Sequence, residues 1–464
     1  MAPKDLQARL PNIIFIIIDA LRARNLSCYG YKYKISSNID KIADKGVLFR
    51  QAFSCINATD PSLTSIFSGK YPISTGLISH GFYVTKWQLM RVRRVIFLPQ
   101  ILKHMGYRTY ALDWLGRWHK KGYDYYMGIG AEKFSKRPKV QLNFKARKKS
   151  YITSFLLGIY RYLDICISGA KNMMEDGQYL TDLAINIIKF NHRNNRKFFL
   201  FIHYWDVHGP YFGSLFDVFR YYDLRDLRFE RLTLSVSKQI KNPGCFDILC
   251  KTGPTLNLIK ARYDAAIHKV DLQIGRLLRL LEELGMVDET FIIITSDHGE
   301  SLGEHGIFFD HHGLYDVSIH VPLILTWPER FDRKQIDALV QHVDVMPTIL
   351  KVLGVDPKVF KLQGKDLSPL INGEVDSVRQ YVFVEEAHTQ RKRAIRTKKW
   401  KYIKTLSKKG AICRYCGIMH GDYRELYDLR SDPDEKQNII KDREDVAQRL
   451  DDQMHKFIIN LIQI

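Results

Sequence analysis

Apolar residues recur along this chain in two rhythms. Short, nearly continuous apolar runs span 13–19, 109–113, 198–203, 290–297 and 321–327, and four of them finish on Asp19, Asp113, His203 and Asp297. Runs of this length, apolar on both faces, predict buried strands. Between them the spacing lengthens to that of helices, at 179–190 and 264–284. In the second, Ala266, Val270, Ile274, Leu277, Leu278 and Leu281 share one face, and Gly285 marks the end. Strands alternating with helices predict an α/β fold, a large and mostly parallel sheet flanked by helices. In such sheets the site forms at the carboxyl ends of the strands, where the Asp and His residues fall.

Two insertions interrupt the alternation, at about 132–172 and 211–256. The first carries basic runs at 136–139 and 145–149, then a helical pattern in which Ile152, Phe155, Leu156, Ile159, Leu163 and Cys166 share a face. A basic lead into an amphipathic helix either packs on its own domain or docks peripherally on a membrane through 145–170. The second is rich in Tyr, Phe and Arg, and loops of its length over an α/β site often form substrate walls. After about 370 the runs shorten, at 381–386, 393–396 and 400–404, before a closing helical stretch at 442–464. This predicts a catalytic domain over 1–370 and a C-terminal antiparallel-sheet subdomain over 371–464.

Composition narrows the partners. With 464 residues and 45% apolar content the chain can build a large core, and its formal net charge of +21 favours anionic partners. No zinc-finger or aromatic-basic motif accompanies that charge, so no specific nucleic-acid partner is expected. The residues before the first strand contain no apolar segment with a cleavage site. The seven cysteines are odd in number and scattered. Both features predict a cytoplasmic protein. Cys413 and Cys416, with His420 nearby, have the spacing that begins a zinc site, but no second cysteine pair follows, and redox-inert surface thiols are the expectation.

The candidate chemistry gathers in four segments. Asp19 ends the first strand. Thr59 opens a small-residue loop and helix start before Pro61. Asp297 and His298 end a later strand, and His203 to His208 end another. Asp19, Asp297 and His298 form a mixed oxygen and nitrogen set for one divalent metal ion, with Thr59 as a further ligand and nucleophile. A cation there would acidify the hydroxyl and offset negative charge on a phosphoryl or sulfuryl group.

These segments closely resemble the sulfatase family, part of the alkaline phosphatase superfamily. Thr59-Asp-Pro-Ser-Leu63 with Ser68-Gly-Lys-Tyr-Pro72 is similar to the family's Cys-x-Pro-x-Arg and Thr-Gly-Arg-Tyr-Pro, at identical separation. Gly106-Tyr-Arg-Thr109 with Gly116-Arg-Trp-His119, His208-Gly-Pro-Tyr211, Thr295-Ser-Asp-His-Gly-Glu300, His312-Gly-Leu-Tyr-Asp316 and Asp344-Val-Met-Pro347 follow in family order. Glu425-Leu-Tyr-Asp428 through Asn438 resembles the C-terminal signature. The resemblance implies that Asp19, Asp297 and His298 hold the metal, that Thr59 attacks, and that Arg117, His119 and His208 contact the ester. His311 falls where the family has a lysine, and it can donate a proton to the leaving oxygen.

The sequence departs from the family where its reaction begins. True sulfatases oxidise the cysteine of Cys-x-Pro-x-Arg, and here that position is Thr59 with Leu63 in place of the arginine. Cys55 lacks the proline two residues on. The second acid of the opening Asp-Asp pair is Ala20, and Asp-Asn has become Asp297-His298. Of Mn, Zn and Ca, an imidazole in place of oxygen ligands favours Mn or Zn. Asp206, His208 and His312 do not have the spacing of a second metal cluster. A threonine with Asp, Asp and His ligands resembles the phosphodiesterases, nucleotide pyrophosphatases and phosphoethanolamine transferases of the superfamily. The expected activity is therefore ester hydrolysis or group transfer on phosphate mono- or diesters or on sulfate esters. A sulfatase-like protein that binds anionic ligands without catalysis is the alternative.

Overall fold

The structure, a computed structural model, describes residues 10–127, 176–211, 213, 215–222 and 256–463. The insertion at 132–172, with its basic amphipathic stretch at 145–170, and most of the insertion at 211–256 lie outside the described residues.

Among the described residues, ten strands precede the C-terminal sheet: β1 (Asn12–Ile18), β2 (Val47–Phe53), β3 (Arg108–Leu112), β4 (Tyr125–Met127), β5 (Phe198–Tyr204), β6 (Thr290–Thr295), β7 (Ser301–Leu302), β8 (Phe308–Asp310), β9 (Leu323–Thr326) and β10 (Lys334–Gln341). Eight of them form one sheet in the order β10-β2-β9-β6-β1-β5-β3-β4, while β7 and β8 pair separately. The sheet is mixed. β1 runs parallel to both β5 and β6, but β9 runs antiparallel to β2 and β6.

The central strand shows why the sheet is buried on both faces. Successive residues of β1 point to opposite sides. Ile14, Ile16 and Ile18 enter one apolar cluster and Ile13, Phe15 and Ile17 the other. Three helices matter below: α1 (Thr59–Ser68), α2 (Gly177–Arg193) and α3 (Leu256–Glu283). The first cluster takes Leu180, Ala184 and Ile188 from α2 and Ile267, Val270, Ile274 and Leu277 from α3, the helical spacing visible in the sequence. The second takes Leu63, Ile66 and Phe67 from α1.

The C-terminal part forms a four-stranded antiparallel sheet of β11 (Val382–Glu386), β12 (Lys392–Arg396), β13 (Trp400–Thr405) and β14 (Arg424–Asp428), with α4 (Glu444–Gln463) across it. Phe383 and Tyr402 of this sheet share an apolar cluster with Tyr71 and Val343 of the larger part. The Glu425 motif is a structural one. Its fully buried carboxylate accepts from Lys392 Nζ at 3.0 Å and from the Tyr315 and Tyr427 hydroxyls at 2.7 Å each. Among the described residues, no helix is long and apolar enough to cross a membrane.

Candidate active site

Parallel pairing brings the ends of β5, β1 and β6 side by side. Ile17 pairs with both His203 and Thr295, so the residues just beyond that register converge: Asp19, His203, Asp297 and His298. All four are fully buried. Asp297 Oδ1 accepts from the backbone N–H of Ala20 (3.2 Å) and of His298 (2.9 Å), which leaves Oδ2 facing the interior of the site. The Ala20 amide reaches Asp297 from a left-handed backbone, φ +60°, unusual for a residue with a Cβ.

The tautomer of His298 follows from its contacts. Nδ1 lies 2.8 Å from the Gly299 carbonyl oxygen, which can only accept, so Nδ1 carries the proton and Nε2 presents a lone pair. That lone pair sits 3.2 Å from Thr59 Oγ1, 3.2 Å from Asp297 Oδ2 and 3.8 Å from Asp19 Oδ1. The same logic applies to His203. Its Nδ1 lies 2.9 Å from Asp113 Oδ1, and its Nε2 faces Asp19 Oδ2 at 3.6 Å. Asp19 Oδ1 and Oδ2, Asp297 Oδ2 and His203 Nε2 are buried and make no hydrogen bond among the described residues.

A buried cluster of acceptors without donors is unfavourable by itself. Its electrostatics carry the signature. Burial, then the Asp297, Glu300 and Asp113 carboxylates, push Asp19 well above the usual carboxylate range. Burial also pushes Asp297 upward, but His298 and His203 outweigh it and hold it below that range. A divalent cation would offset the charge that raises Asp19 and give the unpartnered acceptor atoms a partner. Asp19, Asp297 and His298 offer ligand atoms within 4.8 Å of one another, so the residues present fit such an ion. His203 stands beside them, its Nε2 3.6 Å from Asp19 Oδ2 and its far nitrogen held on the Asp113 carboxylate, the backing that metal-bound imidazoles usually have. Sequence reasoning left His203 out of the ligand set, although it ends an apolar strand by the rule that identified Asp19.

Thr59 is the first residue of α1, preceded by Ala58 in extended conformation. The hydroxyl therefore stands at the positive end of a ten-residue helix, which favours negative charge there. Ser62 fixes the helix to the metal-ligand segment, donating from Oγ to the Asp297 carbonyl at 2.6 Å. Leu63 is fully buried in the apolar cluster under α1.

Arg117 and His119 reach this region through Asp60. Arg117 Nη2 donates to Asp60 Oδ2 at 2.6 Å, and His119 Nε2 lies 3.0 Å from Oδ1. His80 Nδ1 is 3.0 Å from Oδ2, and the Gly81 N–H donates to the same oxygen at 2.8 Å. Burial opposes the charge on Asp60, but His80, His119 and Arg117 hold it well below the usual carboxylate range. These two residues thus hold the start of α1 one position from Thr59.

His311 and His208 lie on the other side. The His311 ring stacks on that of His298, with centroids 4.1 Å apart and 27° between planes, and is 6.0 Å from His208. His311 Nδ1 contacts the Asn57 carbonyl at 2.5 Å, leaving Nε2 as its base. Burial, then His298 and His208, push His311 well below the ordinary imidazole range. Burial pushes His208 down to about 4. Asp206 points elsewhere, 2.7 Å from Lys269 Nζ.

The family described as "Sulfatase" matches residues 11–355, and that described as "N-sulphoglucosamine sulphohydrolase, C-terminal" matches residues 303–463. Among curated proteins, the N-acetylglucosamine-6-O-sulfatase of Bacteroides thetaiotaomicron is 24% identical, over 94% of this chain and 84% of its own. Human iduronate 2-sulfatase is 28% identical over 69% of this chain and 60% of its own. Among solved structures, the phosphonate monoester hydrolase of Agrobacterium radiobacter superposes with a TM-score of 0.69 at 20% identity, covering 98% of this chain and 95% of that one. A structure solved with its substrate D-glucosamine-2-N,6-O-disulfate gives 0.65 at 22% identity, covering 98% of each chain.

Proposed function

Given that the chain belongs to the sulfatase family, we propose that it is a metal-dependent ester hydrolase or transferase whose nucleophile is Thr59, acting on phosphate mono- and diesters or on sulfate esters. One observation carries the reading: Thr59 Oγ1 stands 3.2 Å from His298 Nε2, at a helix start, beside buried acceptor atoms that make no hydrogen bond. Asp19, Asp297, His298 and His203 would hold a divalent cation, Mn or Zn by the donor set, which when bound supplies positive charge against the nucleophile and the ester.

The chain's own residues account for the rest. Thr59 Oγ1 gives its proton to solvent and forms a bond to phosphorus or sulfur as the bond to the leaving alcohol breaks, and that alcohol takes its proton from His311 or His208. Water, or an acceptor alcohol, then displaces Thr59. Arg117 and His119 keep the nucleophile in place through Asp60. His311 and His208 are neutral in the resting site. An entering anionic ester favours their protonated forms, which makes them the donors to the leaving oxygen.

Phosphoesters are the favoured substrates, because position 59 carries an unmodified hydroxyl and the ligand set includes imidazole. A screen of metal-loaded enzyme and T59A on aryl phosphates, phosphodiesters and sulfate monoesters tests this. Loss of turnover in T59A supports the reading. Anion binding without turnover in either protein would instead indicate the non-catalytic alternative.

A further inference from the structure

We infer that His312, Cys413, Cys416 and His420 form a second metal site, a structural zinc centre that joins the active-site loop to the C-terminal sheet. The two cysteines are buried rather than at the surface, with Cys413 1% and Cys416 7% exposed, and both are free thiols. His312 and His420 are buried beside them, 4% and 6% exposed.

The geometry fits zinc. Cys413 Sγ lies 3.9 Å from His312 Nδ1, and Cys416 Sγ lies 3.0 Å from His420 Nε2. A tetrahedral zinc with ordinary Zn–S and Zn–N bonds places neighbouring S and N atoms about 3.6 Å apart, between these two separations. Ligand atoms of His312, Cys413 and His420 already lie within 4.8 Å of one another, and Cys416, outside that group, joins it through its 3.0 Å contact with His420.

The backbone presents both thiols to one side. In Cys413-Arg-Tyr-Cys416-Gly417 the Gly417 N–H donates to the Cys413 carbonyl at 2.9 Å, and the Cys413 N–H donates to the Ile418 carbonyl at 2.9 Å. Gly417 has φ +73°, a conformation that costs glycine little. Surrounding groups hold the ligands. Asp310 Oδ2 lies 3.2 Å from His312 Nε2, the carboxylate backing expected behind a metal-bound imidazole. Lys392 Nζ donates to the His420 carbonyl at 2.5 Å, and the Arg414 N–H donates to the Thr389 carbonyl at 3.1 Å.

Sequence spacing alone showed three of these ligands. The fourth, His312, arrives from more than 100 residues upstream, which is why no second cysteine pair is needed. Two thiolates and two imidazoles close the coordination sphere, so the ion has a structural role. Binding Zn²⁺ releases the two thiol protons to solvent. Because His311 adjoins His312 and stacks on His298, the ion also anchors the loop beside the catalytic metal ligands.

The test uses the full chain. Protein purified without added metal is analysed for zinc. It is then stripped and reloaded with Co²⁺, whose thiolate charge-transfer and intense tetrahedral d–d bands report sulfur coordination. The Asp19, Asp297 and His298 site has no sulfur, so these bands read only the new centre and stand or fall independently of the proposed reaction. The inference predicts a tightly held zinc that D297N retains, thiolate–cobalt bands in wild type, T59A and D297N, and weakened or shifted bands in C416S and H420N. Because C416S can fail to fold, the wild-type cobalt spectrum and the zinc content of D297N decide the matter by themselves. Absence of zinc with no thiolate–cobalt band overturns the inference, as does a Cys413–Cys416 disulfide in the purified protein.

Discussion

Replacing Asp19 with Asn separates the cost of the buried acceptor cluster from the benefit of the proposed cation. Asp19 and Asp297 are fully buried, with ligand atoms within 4.8 Å. At an effective dielectric constant of about 20, two ionised carboxylates at that distance repel by about 3 kcal/mol. Metal-free D19N should therefore be more stable than metal-free wild type by up to about 3 kcal/mol. The new amide can also donate towards His203 Nε2, 3.6 Å from Asp19 Oδ2. A chain of 464 residues has an unfolding entropy of about 1 kcal/mol/K, so the gain is about 3 °C in midpoint. Wild type should recover a similar amount from Mn²⁺ at 100 times its Kd, about 2.7 kcal/mol, and D19N should not.

The pH dependence has a definite sign. Burial and the neighbouring carboxylates raise Asp19 in the folded state, so folded protein binds more protons than unfolded protein above about pH 4. Metal-free wild type loses stability as pH rises through that window. D19N lacks this contribution to the loss. Scanning calorimetry of both proteins, chelated and with Mn²⁺ added back, measures every term. A metal-free D19N that melts below wild type and keeps its Mn²⁺ shift would refute the reasoning.

Three further outcomes follow from the same geometry. T59A should lower turnover by about 10³-fold or more while binding Mn²⁺ and melting like wild type, and T59S should keep part of the activity, measured on an aryl phosphate. D60A leaves Arg117 and His119 without their buried partner, at a cost of about 3–5 kcal/mol, read as a fall in the thermal midpoint. The lowered folded value of Asp60 means its contribution is present above about pH 4 and disappears as pH falls through that folded value. G364A places a Cβ 1.7 Å from the Val343 carbonyl oxygen, so backbone must move, and the expected loss of about 1–3 kcal/mol appears in the midpoint and the soluble yield.

Much of the fold was legible because its cause is local. The apolar run before Asp19 is a central strand, and the spacing of Val270, Ile274 and Leu277 is the buried face of α3. Strand direction was not legible, since β9 reads as an apolar run whichever way it lies. Asp19, Asp297, His298 and Thr59 were recognisable by residue type and order, and the structure brings all four together. His203 was harder to see because a histidine at a strand end looks the same whether it packs or ligates. Only the partnerless Nε2 beside Asp19 distinguishes the two. The engagement of Arg117 and His119 with Asp60, and the meeting of His312 with Cys413, are products of tertiary approach that spacing cannot encode.

The central claim is that Thr59 is the attacking oxygen, and acid-quench peptide mapping tests it most directly. Mn²⁺-loaded enzyme is mixed with an aryl phosphate, quenched during turnover, and digested for mass analysis. The account predicts a phosphoryl group on the peptide that carries Thr59, and neither adduct nor turnover in T59A. Undiminished turnover by T59A, with no adduct on that peptide in wild type, would contradict it.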